Sequence, residues 1–392
     1  MSDIVILSAT RTPIGAFQGA YAQTPATQLG ATAIRGAVAQ AHIESADVDE
    51  VLMGNVLQAG QGQAPARQAA LEAGLPPSVR TATINKVCGS SLQALMQATH
   101  SLQAGMGNVF VAGGMENMTQ APYLMPKARA GLRIGHQQMI DSMIHDGLWD
   151  PHGDKHMGNC AEVCAAHYGF TREEQDAFAV ESFRRANAAQ AAEQFKTEIT
   201  PVEVTGAKGK TTVIDQDESP GRVRYEKIPQ LRPAFQKDGT ITPANASSIN
   251  DGAAAMVVTT AAYAKTHDLT SIARIVAFGT HAQDPEWFTT APVQATRQAL
   301  DQAGWKIDEI DLWEVNEAFA VVPLAFMREL GVPHEKLNVR GGAIALGHPI
   351  GCSGVRIVVT LLAALRERGL TRGVATICIG GGEGLAVCVE FV

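Results

Sequence analysis

The sequence predicts an α/β chain in which one unit is used twice, with a segment of different character inserted into the first copy. Three observations predict it. Short β-branched or apolar runs alternate with longer runs whose apolar residues recur at helical spacing, the pattern of α/β units. The order of those runs at the start of the chain returns in the last third, at an offset of roughly 260 to 270 residues. Residues 119–245 fit neither copy. The expected boundaries are 1–118 with 246–270 for the first half, 119–245 for the insert, and 271–392 for the second half.

Taken in order, Ile4 to Ser8 reads as a first strand, Ala26 to Ala41 as a helix, and Val48 to Met53 as a strand ending at Gly54-Asn55. Thr81 to Val87 is β-branched and apolar and reads as a buried strand. Leu92, Leu95, Met96 and Leu102 then fall at helical spacing and stop at Gly105. Val109 to Ala112 is a strand running into Gly113-Gly114-Met115-Glu116. In the insert, Tyr123, His136, His145, Trp149, His152 and His156 interrupt any simple period. Thr171-Arg172-Glu173-Glu174-Gln175 is a capped helix start with Phe178, Val180 and Phe183 behind it. Residues 205–243 are loop-rich, as in a segment that closes over a site. Ala253 to Val258 is the strand that rejoins the first sheet.

The second copy runs Ala273 to Phe278 (strand), Pro292 to Ala303 (helix), Ile310 to Val315 (strand), Ser353 to Arg366 (a strongly apolar helix) and Val374 to Ile379 (strand). Asp47-Val48-Asp49-Glu50-Val51 matches Asp308-Glu309-Ile310-Asp311-Leu312, and Gly113-Gly114-Met115-Glu116 matches Gly381-Gly382-Glu383. Helices this apolar belong between two sheets.

Composition narrows the function classes. The chain has 392 residues, 46% hydrophobic and 18% charged, with 38 glycines and a net charge of −8. That balance argues against a nucleic-acid partner or an anionic membrane surface. No run approaches a membrane span and no signal peptide opens the chain. The six cysteines show no disulfide framework. Cys160 and Cys164 share one helix face without a second pair to make a zinc site. The expected setting is a reducing cytoplasm, with no metal.

Cys88 sits where a strand turns into a helix. A free thiol has a pKa of about 8.5, and the positive helix end and a nearby imidazole are expected to lower it. Gly89 lets backbone or substrate approach. Three further stretches lie at strand ends of the second copy, where ligands gather in α/β sheets. Asn316-Glu317-Ala318-Phe319 follows a strand. His348 lies among Gly347, Pro349 and Gly351, in a loop expected to leave it exposed enough to act as a base. Cys378 precedes Gly380, where backbone N–H groups can face a developing oxyanion.

With those four stretches in place, Cys88-Gly89-Ser90, Asn316-Glu317-Ala318-Phe319, Gly347-His348-Pro349 and Cys378-Ile379-Gly380, the chain resembles the thiolase family from Met1 to Val392. Gly113 to Met118 and His156-Met157-Gly158 add to the likeness. Among thiolases it is most similar to the bacterial acetyl-CoA acetyltransferases. The resemblance implies a duplicated thiolase-type fold: two βαβαβαββ halves giving a five-layered α-β-α-β-α core, with an inserted loop domain for coenzyme A binding and oligomerisation.

It also implies roles. Cys88 is the nucleophile that takes the acyl group as a thioester. His348 takes its proton and then helps hold the thioester oxygen, with a water positioned by Asn316. Cys378 moves the α-proton of the second acyl-CoA. The N–H groups of Cys88 and Gly380 form a second oxyanion hole. His156, Met157, Phe235 and Ser247 line the pantetheine channel, with Ala318 and Phe319 opposite. Arg222, Arg224 and Lys227 are candidates for the phosphates. Thr119 to Met139 resembles a tetramerisation loop, so a homotetramer is expected. Coenzyme A thioesters are substrates and no cofactor is required.

Trp287-Phe288 departs from the smaller residue usual in the acetoacetyl-specific relatives and leaves chain length open. The alternatives are a broad 3-ketoacyl-CoA thiolase of fatty-acid oxidation, a ketoacyl synthase, against which the second cysteine argues, and a non-catalytic acyl-CoA or lipid binding protein.

Overall fold

The computed structural model describes residues 3–206 and 209–392. The first half contributes β1 (Ile4–Arg11), α1 (Ala26–Gln40), β2 (Glu50–Gly54), α2 (Pro65–Glu72), β3 (Arg80–Ile84), α3 (Ser90–Gln103) and β4 (Val109–Asn117). The insert carries α4 (Met157–Tyr168) and α5 (Arg172–Ala191), and the chain returns as β5 (Asn250–Thr260). The second half runs β6 (Ala273–Ala282), α6 (Ala291–Ala303), β7 (Leu312–Val315), α7 (Val321–Leu330), α8 (Ser353–Arg368), β8 (Arg372–Ile379) and β9 (Glu383–Phe391).

Residue alternation along the strands builds the layers. On β5, Ala254, Met256 and Val258 face a core shared with α3 and α8, while Ala253, Ala255 and Val257 face α1 and α2. On β9, Leu385, Val387 and Val389 face the same central core, while Ala386 and Cys388 face α6 and α7. Helices α3 and α8 therefore form a middle layer with a sheet on either side and further helices outside each sheet, the five layers expected. Leu92, Leu95 and Leu102 of α3 and Val355, Val358 and Leu361 of α8 fill that middle layer. Helix α8 is buried on nearly all sides, as its sequence requires.

The two sheets are one. The strand order is β7-β8-β9-β6-β1-β5-β4-β2-β3. Antiparallel pairs Ile4↔Ile275, Val5↔Arg274 and Ile6↔Ala273 join the halves through the first strand of each copy. Pairing there satisfies two edges that would otherwise stand open.

Three local expectations change. The strand before Cys88 ends at Ile84, and as the sheet edge it is only partly buried. Gly113 and Gly114 lie inside β4, because a Cβ at either would meet a carbonyl oxygen, that of Ala254 at 2.2 Å or that of Gly351 at 2.1 Å. Their counterparts Gly381 and Gly382 form the β8–β9 turn at φ +91° and +85°.

The insert is fastened by buried charge. Arg11 of β1 donates to Glu198 (2.7 Å) and Asp217 (2.7 and 2.9 Å), and Arg340 of the second half reaches Glu198 at 3.2 Å. Buried ions persist when paired in this way. The capping box on α5 is present, with Thr171 accepting from Glu174 N–H and Glu174 from Thr171 N–H. Cys160 and Cys164 lie buried on α4 as free thiols. Among the described residues no helix is long and apolar enough to cross a membrane.

If the middle layer is the shared core, Leu361→Ala should cost about 2–5 kcal/mol and the exposed Leu71→Ala under about 1. Thermal unfolding of the two variants checks this; equal midpoints would contradict the layering.

Candidate active site

The turn that carries Cys88 starts from strain. After β3 the chain passes through Val87 at φ +45°, a left-handed conformation that costs a β-branched residue about 1–3 kcal/mol. Three side-chain hydrogen bonds hold it. Asn85 Oδ1 accepts Val87 N–H (3.0 Å), while Ser90 Oγ accepts Lys86 N–H (2.8 Å) and donates to the Val87 carbonyl (2.6 Å). Cys88 follows, partly buried, at the mouth of α3. The space left by Gly89 is taken by Ile379 of β8, which a Cβ would meet at 2.4 Å, and not by substrate.

The second copy delivers His348 in the same way, ahead of α8. Ser91 of α3 ties the two helix starts together: its Oγ donates to the Cys352 carbonyl (2.9 Å) and accepts Val355 N–H (2.9 Å). His348 N–H donates to Asn250 Oδ1 at 3.1 Å. Ser353 Oγ gives its proton to the Pro349 carbonyl (2.9 Å), so it accepts from His348 Nδ1 at 2.6 Å. That assigns the proton to Nδ1 and leaves the lone pair on Nε2. Asn316 Nδ2 lies 3.4 Å from Nε2, and Asn316 Oδ1 is buried with no protein partner. Asn316 is fixed by its N–H to the Thr376 carbonyl (3.0 Å) and by Glu317, which accepts from Ser182, Asn338 and Ile344 N–H.

The exposure expected of His348 is not found: it is 5% exposed. Asn250, Ser353 and the packed start of α8 enclose it, although it still borders the pocket. Burial, and secondly the Arg356 guanidinium, push its pKa down to about 3. The lowered thiol pKa expected of Cys88 is also overturned. Burial pushes it up to about 11, against the pull of the Gly380 and Cys88 backbone N–H groups. Cys378, fully buried at the end of β8, is pushed well up, first by burial and then by the neighbouring Cys88. Desolvation outweighs the helix end and the imidazole here. The site at rest therefore holds neutral thiols and a neutral imidazole.

These groups meet at one cavity of about 370 Å³. Cys88, His348 and Gly380 all line it, with the Gly380 N–H close to the Cys88 sulfur. Asn316 and Cys378 are not on its surface; Asn316 lies beside His348, and Cys378 in the wall near Cys88. Much of the lining is aromatic. His156 caps α4 by accepting Gly158 N–H on Nδ1 (3.0 Å) and stacks on Phe235 at 4.6 Å. Phe319 meets the edges of Phe235 and Phe288 at 6.1 and 6.3 Å. Met157 and Ala318 line the same channel, and Ser247 is pinned by its N–H and Oγ to the Ala318 carbonyl, 3.0 Å each.

Other expectations separate. Phe288 lines the cavity, but Trp287 turns away to meet His167 at 4.9 Å. Arg222 pairs with Glu218 at 2.7 Å, and neither it nor Arg224 nor Lys227 borders the cavity. Sequence reasoning missed Ser353, Asn250, Met118, Leu148 and Ile350. Only Ser353, five residues after His348 at a helix start, left a signal.

Comparison with known proteins agrees along the whole chain. Residues 4–262 match the family model for the thiolase N-terminal domain and 269–391 that for the thiolase C-terminal domain. The chain is 52% identical over 388 residues to an acetyl-CoA acetyltransferase of Pseudomonas aeruginosa, covering 99% of each. It is 49% identical to the acetyl-CoA acetyltransferase of Cupriavidus necator, covering all of both chains. Among solved structures, the Bacillus anthracis acetyl-CoA acetyltransferase superposes with a TM-score of 0.98 at 39% identity, covering 100% of this chain and 99% of that one. A thiolase from Ascaris suum in complex with coenzyme A gives 0.94 at 42%, covering all of both.

A neutral resting thiol has a visible consequence. Ultraviolet thiolate absorbance, differenced against Cys88→Ala, should stay flat up to about pH 9 and rise only above it. Burial favours the protonated form, so thiolate appears only as pH climbs; a rise complete by neutral pH would overturn this.

Proposed function

The chain belongs to the thiolase family, and we infer from that premise an acyl-CoA acyltransferase of the acetyl-CoA acetyltransferase kind. It catalyses the reversible condensation of two acetyl-CoA molecules to acetoacetyl-CoA and coenzyme A, through an acyl-cysteine. One observation carries the assignment of residues: Cys88, His348 and Gly380 line the same aromatic-walled channel.

In this reading the Cys88 sulfur attacks the thioester carbonyl while its proton passes to His348 Nε2, the nitrogen that Ser353 leaves unprotonated. The C–S bond to coenzyme A breaks, and the departing thiolate takes that proton. Because thiol and imidazole are neutral at rest, attack and proton transfer go together and no thiolate waits in the site. The acyl oxygen then sits at the Cys88 and Gly380 N–H groups. The second acetyl-CoA places its oxygen near His348 and a water held by the free Asn316 Oδ1.

Cys378 moves the α-proton. A thiol kept protonated by burial is loaded for cleavage, where the carbanion needs a proton. In condensation it first passes that proton to His348 Nε2 and then takes the α-proton as base, while the Nε2–H donates to the enolate oxygen and finally returns its proton to the Cys88 sulfur released when the new C–C bond forms. Each positioned acid–base group contributes about 10² to 10⁴-fold and one oxyanion donor about 10² to 10³-fold. These residues account for every proton, so the reading calls on no metal or redox cofactor.

His156, Met157, Phe235, Ser247, Ala318 and Phe319 hold the pantetheine arm, a reading supported by the coenzyme A complex of the Ascaris suum relative. The exposed Tyr123, Met125, Ile134 and Met139 support a homotetramer assembled through 119–139. Six free thiols suit a reducing cytoplasm. Phe288, wedged against Phe319, supports a preference for short acyl chains.

Cys88→Ala should show no acetyl adduct by intact mass after acetyl-CoA. Cys378→Ala should still acylate but lose condensation by about 10³-fold or more; retained condensation would refute the proton role. Thiolysis of acetoacetyl-CoA should outrun that of a long-chain 3-ketoacyl-CoA, and equal turnover would reject the short-chain preference.

A further inference from the structure

We propose that Glu116 is a positioning residue for acyl transfer, clamping the His348 turn of the second half to the Asn55–Leu57 turn of the first. The proposal rests on the assignment of Cys88 and His348 above. Glu116 is the penultimate residue of β4 and is completely buried, and its carboxylate accepts four N–H bonds. Oε1 takes Asn55 Nδ2 (2.8 Å) and Leu57 N–H (3.1 Å); Oε2 takes Val56 N–H (3.0 Å) and Gly351 N–H (2.9 Å).

Gly351 is three residues past His348, so one carboxylate spans both halves and holds the turn that carries the imidazole. Glycines make room for it. A Cβ at Gly351 would meet Glu116 Oε2 at 2.6 Å, and one at Gly54 or Gly114 would meet the Gly351 carbonyl oxygen at 2.6 or 2.1 Å. The clamped turns also carry Val56, Leu57 and Ile350, which pack with Met118 beside Cys88. Charge-assisted hydrogen bonds are shorter and about twice as strong as neutral ones, so a buried carboxylate with four donors is a stiff joint. Glu116 touches no reacting atom. It acts by fixing where His348 stands relative to Cys88.

Glu116→Gln tests this. The amide keeps the length but turns an NH2 toward N–H donors on one side, releasing one of the two turns. We expect kcat for acetoacetyl-CoA thiolysis, and the rate of Cys88 acetylation by acetyl-CoA followed by intact mass, to fall together by about tenfold or more, with KM within about threefold. Gly351→Ala attacks the same joint from the other side, and the double variant should lose little more than the worse single one, since the two share one contact. If Glu116→Gln does not fold, Gly351→Ala carries the same test alone. Unchanged acetylation, a loss confined to KM, or additive losses would overturn the proposal. Failure of the underlying assignment would look different: the unaltered enzyme would carry no acetyl group on Cys88.

Discussion

One hydroxyl holds the catalytic geometry together. Ser91, at the start of α3, donates to the Cys352 carbonyl and accepts Val355 N–H at the start of α8. The two helices of the central layer are thus joined at their N-terminal ends, inside a layer that excludes water. Each is preceded by a turn carrying a residue of the proposed site, Cys88 in one copy and His348 in the other. Once the helices are locked end to end the turns have one place to go. The layered core supplies the rigidity, and the glycines at 54, 114 and 354 let the backbones close to the distances that contact needs.

The same burial decides the electrostatics. A helix terminus and an imidazole act on a thiol by fields of modest size, whereas loss of water acts on every charged form at once. Burial accordingly favours the uncharged forms of Cys88, His348 and Cys378 together.

Much of this was legible in the sequence. The duplicated order, the strand-to-helix turn before Cys88 and the glycine-flanked His348 are local patterns, and local patterns survive in one dimension; the channel residues were reached only through the family resemblance. What was not legible depends on residues far apart in the chain. Asn250 holds His348 from 98 residues away and Ser91 reaches Cys352 across 261. The burial of His348 and the raised thiols follow from that packing, and so does the split between Phe288, which faces the channel, and Trp287, which does not. The continuous sheet was hidden for the same reason: each copy looks complete until the first strands of both are laid side by side.

That three-rung junction between Ile4–Ile6 and Ala273–Ile275 has a consequence for how the molecule can be taken apart. A chain severed in the connector between β5 and β6 would yield two fragments, each ending in a raw, apolar ladder with its complement on the other piece. Such fragments are built to recombine with each other, and, if kept separate, to stick to their own kind. The fused arrangement turns a liability of each ancestral-looking unit into the seam of the whole.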